Sequence, residues 1–406
     1  MQPKKNSSMI YDYAVIGSGL AGLLAAKSLV DKNFRVAVIE ATEVLGGNNR
    51  AIRTPAGVFD NGIRFIPNKN TSAAAIEFLE TTLGQSVGAS IQEIPPVTYE
   101  NGTLKSFVGF GDEPPAFYDE IIYFAEPSRW SLQTKVADWV QSLQTQLSAN
   151  SLCDFFSRSI VTKFLANQDN VTSVLINGQK TLMAKNFIYA GNVRDLRLLL
   201  PEGALNQRAL AKLGKNQYWT SVGLDILFEN KITDSEAVHV LNGTTSDDIG
   251  PCAGIFYPTS TTTADTNSEN TVEQNTSENL AKTPQFSQWI SFLDDLEAEE
   301  EENIGAVLKK IKRQIKRAYP EGSDKITFER IMIVRNFGGD GELKLKEDGT
   351  IGNLKNLWIA SPSMNSEKNI LGAILQAKFI VNSATAKLNL KTATELSPTL
   401  DEELDI

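Results

Sequence analysis

The chain has 406 residues, of which 41% are hydrophobic and 22% charged, with a formal net charge of -10. That balance belongs to a globular protein of two domains, and its acidic surplus excludes a nucleic-acid partner, which would need a basic face. Two cysteines, Cys153 and Cys252, make neither a metal pattern nor a disulfide framework, and no apolar run approaches the roughly 18 residues of a membrane span.

Residues 1–9, MQPKKNSSM, lead straight into an apolar strand with no room for a secretory h-region, so a cytoplasmic location is expected. The strand Tyr13-Ala-Val-Ile enters the turn Gly17-Ser18-Gly19-Leu20-Ala21-Gly22, the G-x-G-x-x-G pattern. A helix is predicted from Leu20 to Asp31, then a second apolar strand, Val36-Ala-Val-Ile, ending at Glu40 and Ala41. In this pattern the first glycine permits the tight turn, the second lets the backbone approach a pyrophosphate, and the third lets helix and strand pack closely. The helix N-terminus offers N–H groups and a positive dipole end to phosphate. Glu40 stands about 20 residues beyond the turn, where a ribose diol needs a carboxylate acceptor. The segment is therefore expected to bind a dinucleotide.

After Glu40 a nicotinamide-binding unit would normally enter another crossover helix. This chain instead continues with Gly46-Gly47-Asn48-Asn49-Arg50 and a D-x-G turn, Asp60-Asn61-Gly62. Here the sequence resembles the flavin-containing amine oxidase superfamily, which includes amine oxidases, protoporphyrinogen oxidases, phytoene-type desaturases and, more distantly, UDP-galactopyranose mutases. The resemblance implies FAD as cofactor, with Gly46 and Gly47 packed against its ribityl-pyrophosphate part. The family often has Arg after Gly-Gly; Asn48 in its place resembles the mutase branch, yet Arg64-Phe65-Ile66-Pro67 replaces the His-containing stretch of the mutases.

Further along, 170–190 reads as two alternating strands ending in Gly191-Asn192, similar to the family segment that holds the adenosine end of FAD. Near the C-terminus an apolar strand meets Ser361-Pro362, followed by Gly372-Ala373. The family has Gly-Asp, then a helix opening with Gly-Ala, aimed at the flavin pyrimidine. The second pair matches. The first does not, which removes a polar contact to the ribityl chain. The cofactor set implied is Gly17, Ser18, Gly19, Leu20, Ala21, Gly22, Glu40, Ala41, Gly46, Gly47, Asn48, Gly191, Ser361, Gly372 and Ala373.

The expected fold is α/β: a Rossmann-like FAD-binding domain assembled from separated segments, 9–70, 151–200 and 330–390. A second, α+β domain with an antiparallel sheet is expected from 71–150 and 201–329, leaving 391–406 as an acidic tail. The first insert carries helical tracts at 73–83 and 130–147. The second opens on an alternating strand at 218–228 and passes through a polar stretch, 259–279, read as a surface loop. Acids at 294–302 precede Ile304, Val307, Leu308, Ile311 and Ile315, spaced for one face of a structural helix with a basic C-terminal end.

The single histidine, His239, is expected in a strand or hairpin as a structural side chain, so no Ser-His-Asp arrangement and no metal site are available. Hydride transfer to a flavin needs neither. No catalytic residue is assigned. The leading expectation is an FAD-dependent oxidase, dehydrogenase or desaturase acting on a small or medium-sized organic molecule. A mutase-like isomerase using reduced FAD, or a binding protein resembling the Rab escort and dissociation-inhibitor proteins, are the alternatives. Tyr218, Trp219, Cys252, Ile255 and Tyr257 are the candidate walls of the substrate pocket, with Tyr118, Tyr123 and Trp130 of the first insert as the fallback. Homodimer formation stays open.

Overall fold

A computed structural model of the chain describes residues 9–100, 102–112, 114–215, 217–242, 251–258, 283–339, 343–367 and 369–395. The polar stretch 259–279 and the end of the acidic tail lie outside the described residues.

Two seven-stranded sheets organise the molecule. In the first, Ile10–Ile16 lies between Val36–Ile39 and Lys180–Tyr189, parallel to both, and Cys153–Phe156 extends the parallel set beyond Val36–Ile39. Lys180–Tyr189 pairs along its first half with the antiparallel hairpin Val161–Asn167/Asn170–Ile176. Its last residues pair in parallel with Leu357–Ile359. The centre is buried on both faces, which is why Tyr13-Ala-Val-Ile reads as a continuous apolar run. Tyr13 and Val15 join a core with Leu23, Leu24, Trp139 and Ile374, while Ala14 and Ile16 face the other way, toward Phe164, Phe187 and Leu196.

Four helices cover the first of those faces: Leu20–Asp31, Ser72–Leu83, Val136–Ser148 and Asn369–Glu395. Two of them come from the first insert, so 72–83 and 136–148 pack with the dinucleotide motif. The reason is amphipathy: Leu79, Leu83, Trp139, Val140, Leu143 and Leu147 make buried stripes that close over Leu24, Ala25 and Leu29.

The second sheet runs in the order Ile326–Gly339, Tyr218–Phe228, Gln285–Asp294, Cys252–Phe256, His239–Leu241, then the hairpin Val97–Glu100/Thr103–Ser106. All pairings are antiparallel except that between His239–Leu241 and Val97–Glu100. The position 330 at which a return to the first domain is expected falls inside the strand Ile326–Gly339, and this whole strand follows Tyr218–Phe228 in the second sheet. Helix Glu301–Ala318 lays Val307, Ile311 and Ile315 on one face of that sheet, with Ile304 and Leu308 alongside. His239 belongs to this core. Its ring meets those of Phe256 and Tyr319 edge-on, and burial pulls its pKa down to about 4.

Candidate functional site

The Gly17–Gly22 turn has a reason for each glycine. Gly17 sits at φ +102, the left-handed region, and a Cβ there would lie 3.1 Å from the backbone of Ala190. A Cβ on Gly22 would overlap the carbonyl oxygen of Gly17, so the helix could not come this close. Gly19 differs: it is extended, and a Cβ there would meet nothing within 4 Å. The space before it is an open cradle. Gly19 is the N-cap of helix Leu20–Asp31, which has no side-chain cap and no acid in its first turn. The N-terminus is left for a ligand.

Glu40 is not idle. Its Oε2 accepts from Ser18 N at 3.0 Å and Ser18 Oγ at 2.7 Å, and its Oε1 accepts from Thr42 N and Thr42 Oγ1, both at 2.9 Å. Burial pushes the carboxyl upward, but the hydrogen bonds from Thr42 and Ser18 outweigh it and hold the pKa below the ordinary carboxylate range. A ribose would therefore share Glu40 with two hydroxyls that can rotate away. Ser18 also ties in the Gly-Gly turn, since Gly46 N donates to Ser18 O at 3.0 Å. Gly46 and Gly47 both take positive φ, and a Cβ on Gly47 would lie 3.3 Å from Gly19 Cα. The turn thus closes over the phosphate-facing loop.

These residues open onto one cleft of about 650 Å³. Gly17, Ser18, Gly19, Leu20, Ala21, Glu40, Ala41, Gly47, Asn48, Gly191, Ser361 and Ala373 all line it. Gly22, Gly46 and Gly372 stand behind that lining. A Cβ on Gly46 would strike Val140, and one on Gly372 would overlap Glu367 O, so both serve close packing. Ser361, where the family carries Gly, is buried, with its hydroxyl 3.0 Å from that of Ser363.

Of the five proposed pocket residues, Tyr218 lines the cleft and the other four do not. Trp219 packs in an aromatic cluster with Phe117 and Phe292, and Ile255 lies against the same core. Cys252 faces helix Glu301–Ala318, its Sγ donating to Gln314 Oε1 at 2.8 Å. The Tyr257 hydroxyl donates to Gln288 Oε1 at 2.5 Å. Strand alternation separates these neighbours in sequence onto opposite faces. Tyr123 stacks on Phe65 and donates to Phe65 O.

The cleft has members that motif reading missed: Arg64, Asn192, Asp195, Arg335, Phe337 and Asn369. Asn369 is non-glycine at φ +54, and its buried Nδ2 has no hydrogen-bond partner. Asp60, in the D-x-G turn, plays a structural part, because its carboxylate accepts from Ala137 N at 2.7 Å and Val136 N at 3.2 Å and so caps helix Val136–Ser148. Asn61 and Gly62 rest on Arg330 and Met332, which anchors the turn to the second sheet. Among the described residues no group of three or more His, Cys, Asp or Glu could hold a metal ion, and no helix is long and apolar enough to cross a membrane.

Comparison with known proteins gives this geometry a context. A family model described as an NAD(P)-binding Rossmann-like domain matches residues 15–81. Hydroxyneurosporene desaturase of Rhodobacter capsulatus is 45% identical over 51 residues, a stretch covering 13% of this chain and 10% of the desaturase. Solved structures match across nearly the whole chain. Cyclohexylamine oxidase from Brevibacterium oxydans superposes with a TM-score of 0.64 at 14% identity, covering 94% of this chain and 100% of its own. The chain has the amine-oxidase fold. An oxidoreductase from Methanosarcina mazei gives 0.65 at 14% identity over 91% of this chain and 99% of its own. Putrescine oxidase bound to putrescine gives 0.60 at 12% identity over 93% and 99%. The resemblance seen in short motifs thus extends, as fold, over both sheets.

Proposed function

We propose that this chain is an FAD-dependent oxidoreductase that takes hydride from a small or medium-sized organic substrate. The observation that carries the reading is the continuity of the cleft. It begins at the Gly19 cradle and Glu40 and reaches Tyr218 and Phe337 on the second sheet, a course that suits an extended dinucleotide with its reactive end toward the second domain. The residues present fit the group. The uncapped helix N-terminus and Gly19 would take the pyrophosphate, Glu40 the adenosine ribose, and Gly47 and Asn48 the ribityl part. Asn369 Nδ2 and the N-terminus of helix Asn369–Glu395 would offer donors at the flavin end. When bound, FAD supplies a hydride acceptor at N5.

The protein's own share is positional. Tyr218 and Phe337 give apolar faces that orient a substrate and exclude water, and the anchoring of Asn61 and Gly62 to Arg330 and Met332 fixes that wall against the cofactor half. The test is direct: purify the protein with FAD supplied during expression, record its visible spectrum, release the ligand by heat and chromatograph it against FAD, FMN and NAD. A yellow protein yielding FAD supports the reading. A colourless one yielding only NAD, or nothing, refutes it and favours the binding-protein alternative.

A further inference from the structure

Two cations line the cleft, Arg64 and Arg335, and neither has a salt-bridge partner among the described residues; Arg335 is held by a bond from NH2 to Ala298 O at 3.1 Å. Arg64 makes two hydrogen bonds, both to backbone carbonyls: NH1 to Ile63 O at 3.2 Å and NH2 to Asn48 O at 3.1 Å. Its Nε is closed to solvent and has no hydrogen-bond partner. Asp60 acts on Arg64 through its charge but makes no salt bridge to it, since its carboxylate oxygens accept from the N–H groups of Val136 and Ala137. Three arginines outside the cleft are treated differently: Arg330 pairs with Asp225, Arg194 with Asp295 and Arg158 with Glu43. A guanidinium keeps its charge, and a partly buried charge left unpaired is costly. Two backbone bonds also leave one further N–H on each terminal nitrogen, enough donors for a carboxylate.

We infer that Arg64 is the anion-recognition residue of this cleft and that the substrate is an organic carboxylate with an apolar body. This rests on the reading of the cleft as a joint cofactor and substrate site. Arg64 belongs to the part of the cleft tied to the second sheet. Gly62, two residues before it, packs on Met332 of the strand that also supplies Phe337, and Tyr218 opens the neighbouring strand. A body carrying a ring or alkyl group would rest on these two aromatic faces while its carboxylate meets the fork. One guanidinium neutralises one negative charge, which favours a carboxylate over a phosphate monoester. An amine substrate would meet a like charge here.

The experiment uses the full chain purified with FAD, in wild-type, Arg64→Gln and Arg64→Lys forms. Benzoate, benzamide and benzylamine serve as probes of one shape and three charges. Binding is read both as perturbation of the flavin spectrum and as a shift of the thermal midpoint. Benzoate alone should bind the wild type, Arg64→Gln should weaken it about tenfold or more with flavin content retained, and Arg64→Lys should recover part of the loss. Benzylamine binding in place of benzoate overturns the inference, as does unchanged benzoate affinity in Arg64→Gln. Loss of flavin from Arg64→Gln with benzoate affinity intact in the remainder assigns Arg64 to the cofactor and also overturns it. The thermal shift needs no flavin, so a colourless wild type whose benzoate response depends on Arg64 removes the FAD reading while leaving the carboxylate site standing.

Discussion

Two glycines three residues apart should respond to the same methyl group in opposite ways. At Gly22 a Cβ would overlap the carbonyl oxygen of Gly17 and lie 3.2 Å from Ala190 Cβ, so Gly22→Ala must push the helix off the strand. Overpacking of this kind costs about 1–3 kcal/mol, and backbone rather than a movable side chain is the obstacle, so the upper end applies. At Gly19 the new Cβ meets nothing within 4 Å, and the extended backbone suits alanine. Replacing an N-cap glycine by alanine costs roughly 0.5 kcal/mol, while the reduced freedom of the unfolded chain returns about 0.4–1 kcal/mol. The net change in the cofactor-free protein is therefore about zero. If the cradle holds a pyrophosphate, the same methyl intrudes on the ligand by about 1–3 kcal/mol, weakening FAD roughly 5- to 150-fold. Urea denaturation of cofactor-free protein gives the first quantity and titration of flavin fluorescence the second. Wild-type FAD affinity in Gly19→Ala, or wild-type stability in Gly22→Ala, would refute the assignment.

Asp60→Ala should cost about 1–2 kcal/mol by uncapping helix Val136–Ser148, and Asp60→Asn less, since its amide oxygen still accepts one N–H; chemical denaturation separates the two. The Glu40 pKa is lowered by folding, so its ionic contribution is fully present above the unfolded carboxylate pKa and is lost as pH falls through the folded value. The stability gap between wild type and Glu40→Gln should accordingly close on acidification, and a pH-independent gap would contradict the hydrogen-bond account. Arg330→Met should destabilise by about 3–5 kcal/mol at neutral pH, because Asp225 is left charged and buried. Burial already holds Asp225 above the ordinary range, so protonation favours the fold and this loss should shrink as pH falls. Cys252, its thiol pushed well up by burial, should resist thiol reagents in the native protein and react only on unfolding, as a native-against-denaturant titration would show.

What the sequence determined alone was the part built from near neighbours. Strand, Gly17–Gly22 turn, helix and Glu40 occupy 31 consecutive positions from Ile10 to Glu40, and the hydrogen bonds among Ser18, Glu40 and Thr42 span at most 22 residues. Their geometry follows from local backbone rules: a left-handed φ at Gly17, close packing at Gly22 and a free helix N-terminus at Gly19. The apolar periodicity of Glu301–Ala318 and the alternation of Tyr218–Phe228 were equally local signals.

Tertiary structure decided the remainder. Arg64, Tyr218, Phe337 and Asn369 share one cleft although they lie far apart in sequence, because the second sheet sets Ile326–Gly339 beside Tyr218–Phe228 and against Asn61 and Gly62. No spacing rule links such positions. Trp219 and Cys252 illustrate the same limit: composition makes them plausible pocket walls, but each lies on the side of its strand that pairing turned toward a core. Asp60 reads as part of a turn until helix Val136–Ser148 arrives with uncapped N–H groups. A side chain's local conformation is set by its neighbours in sequence, whereas its partners are set by which faces must be buried together, and that choice is made by the whole fold.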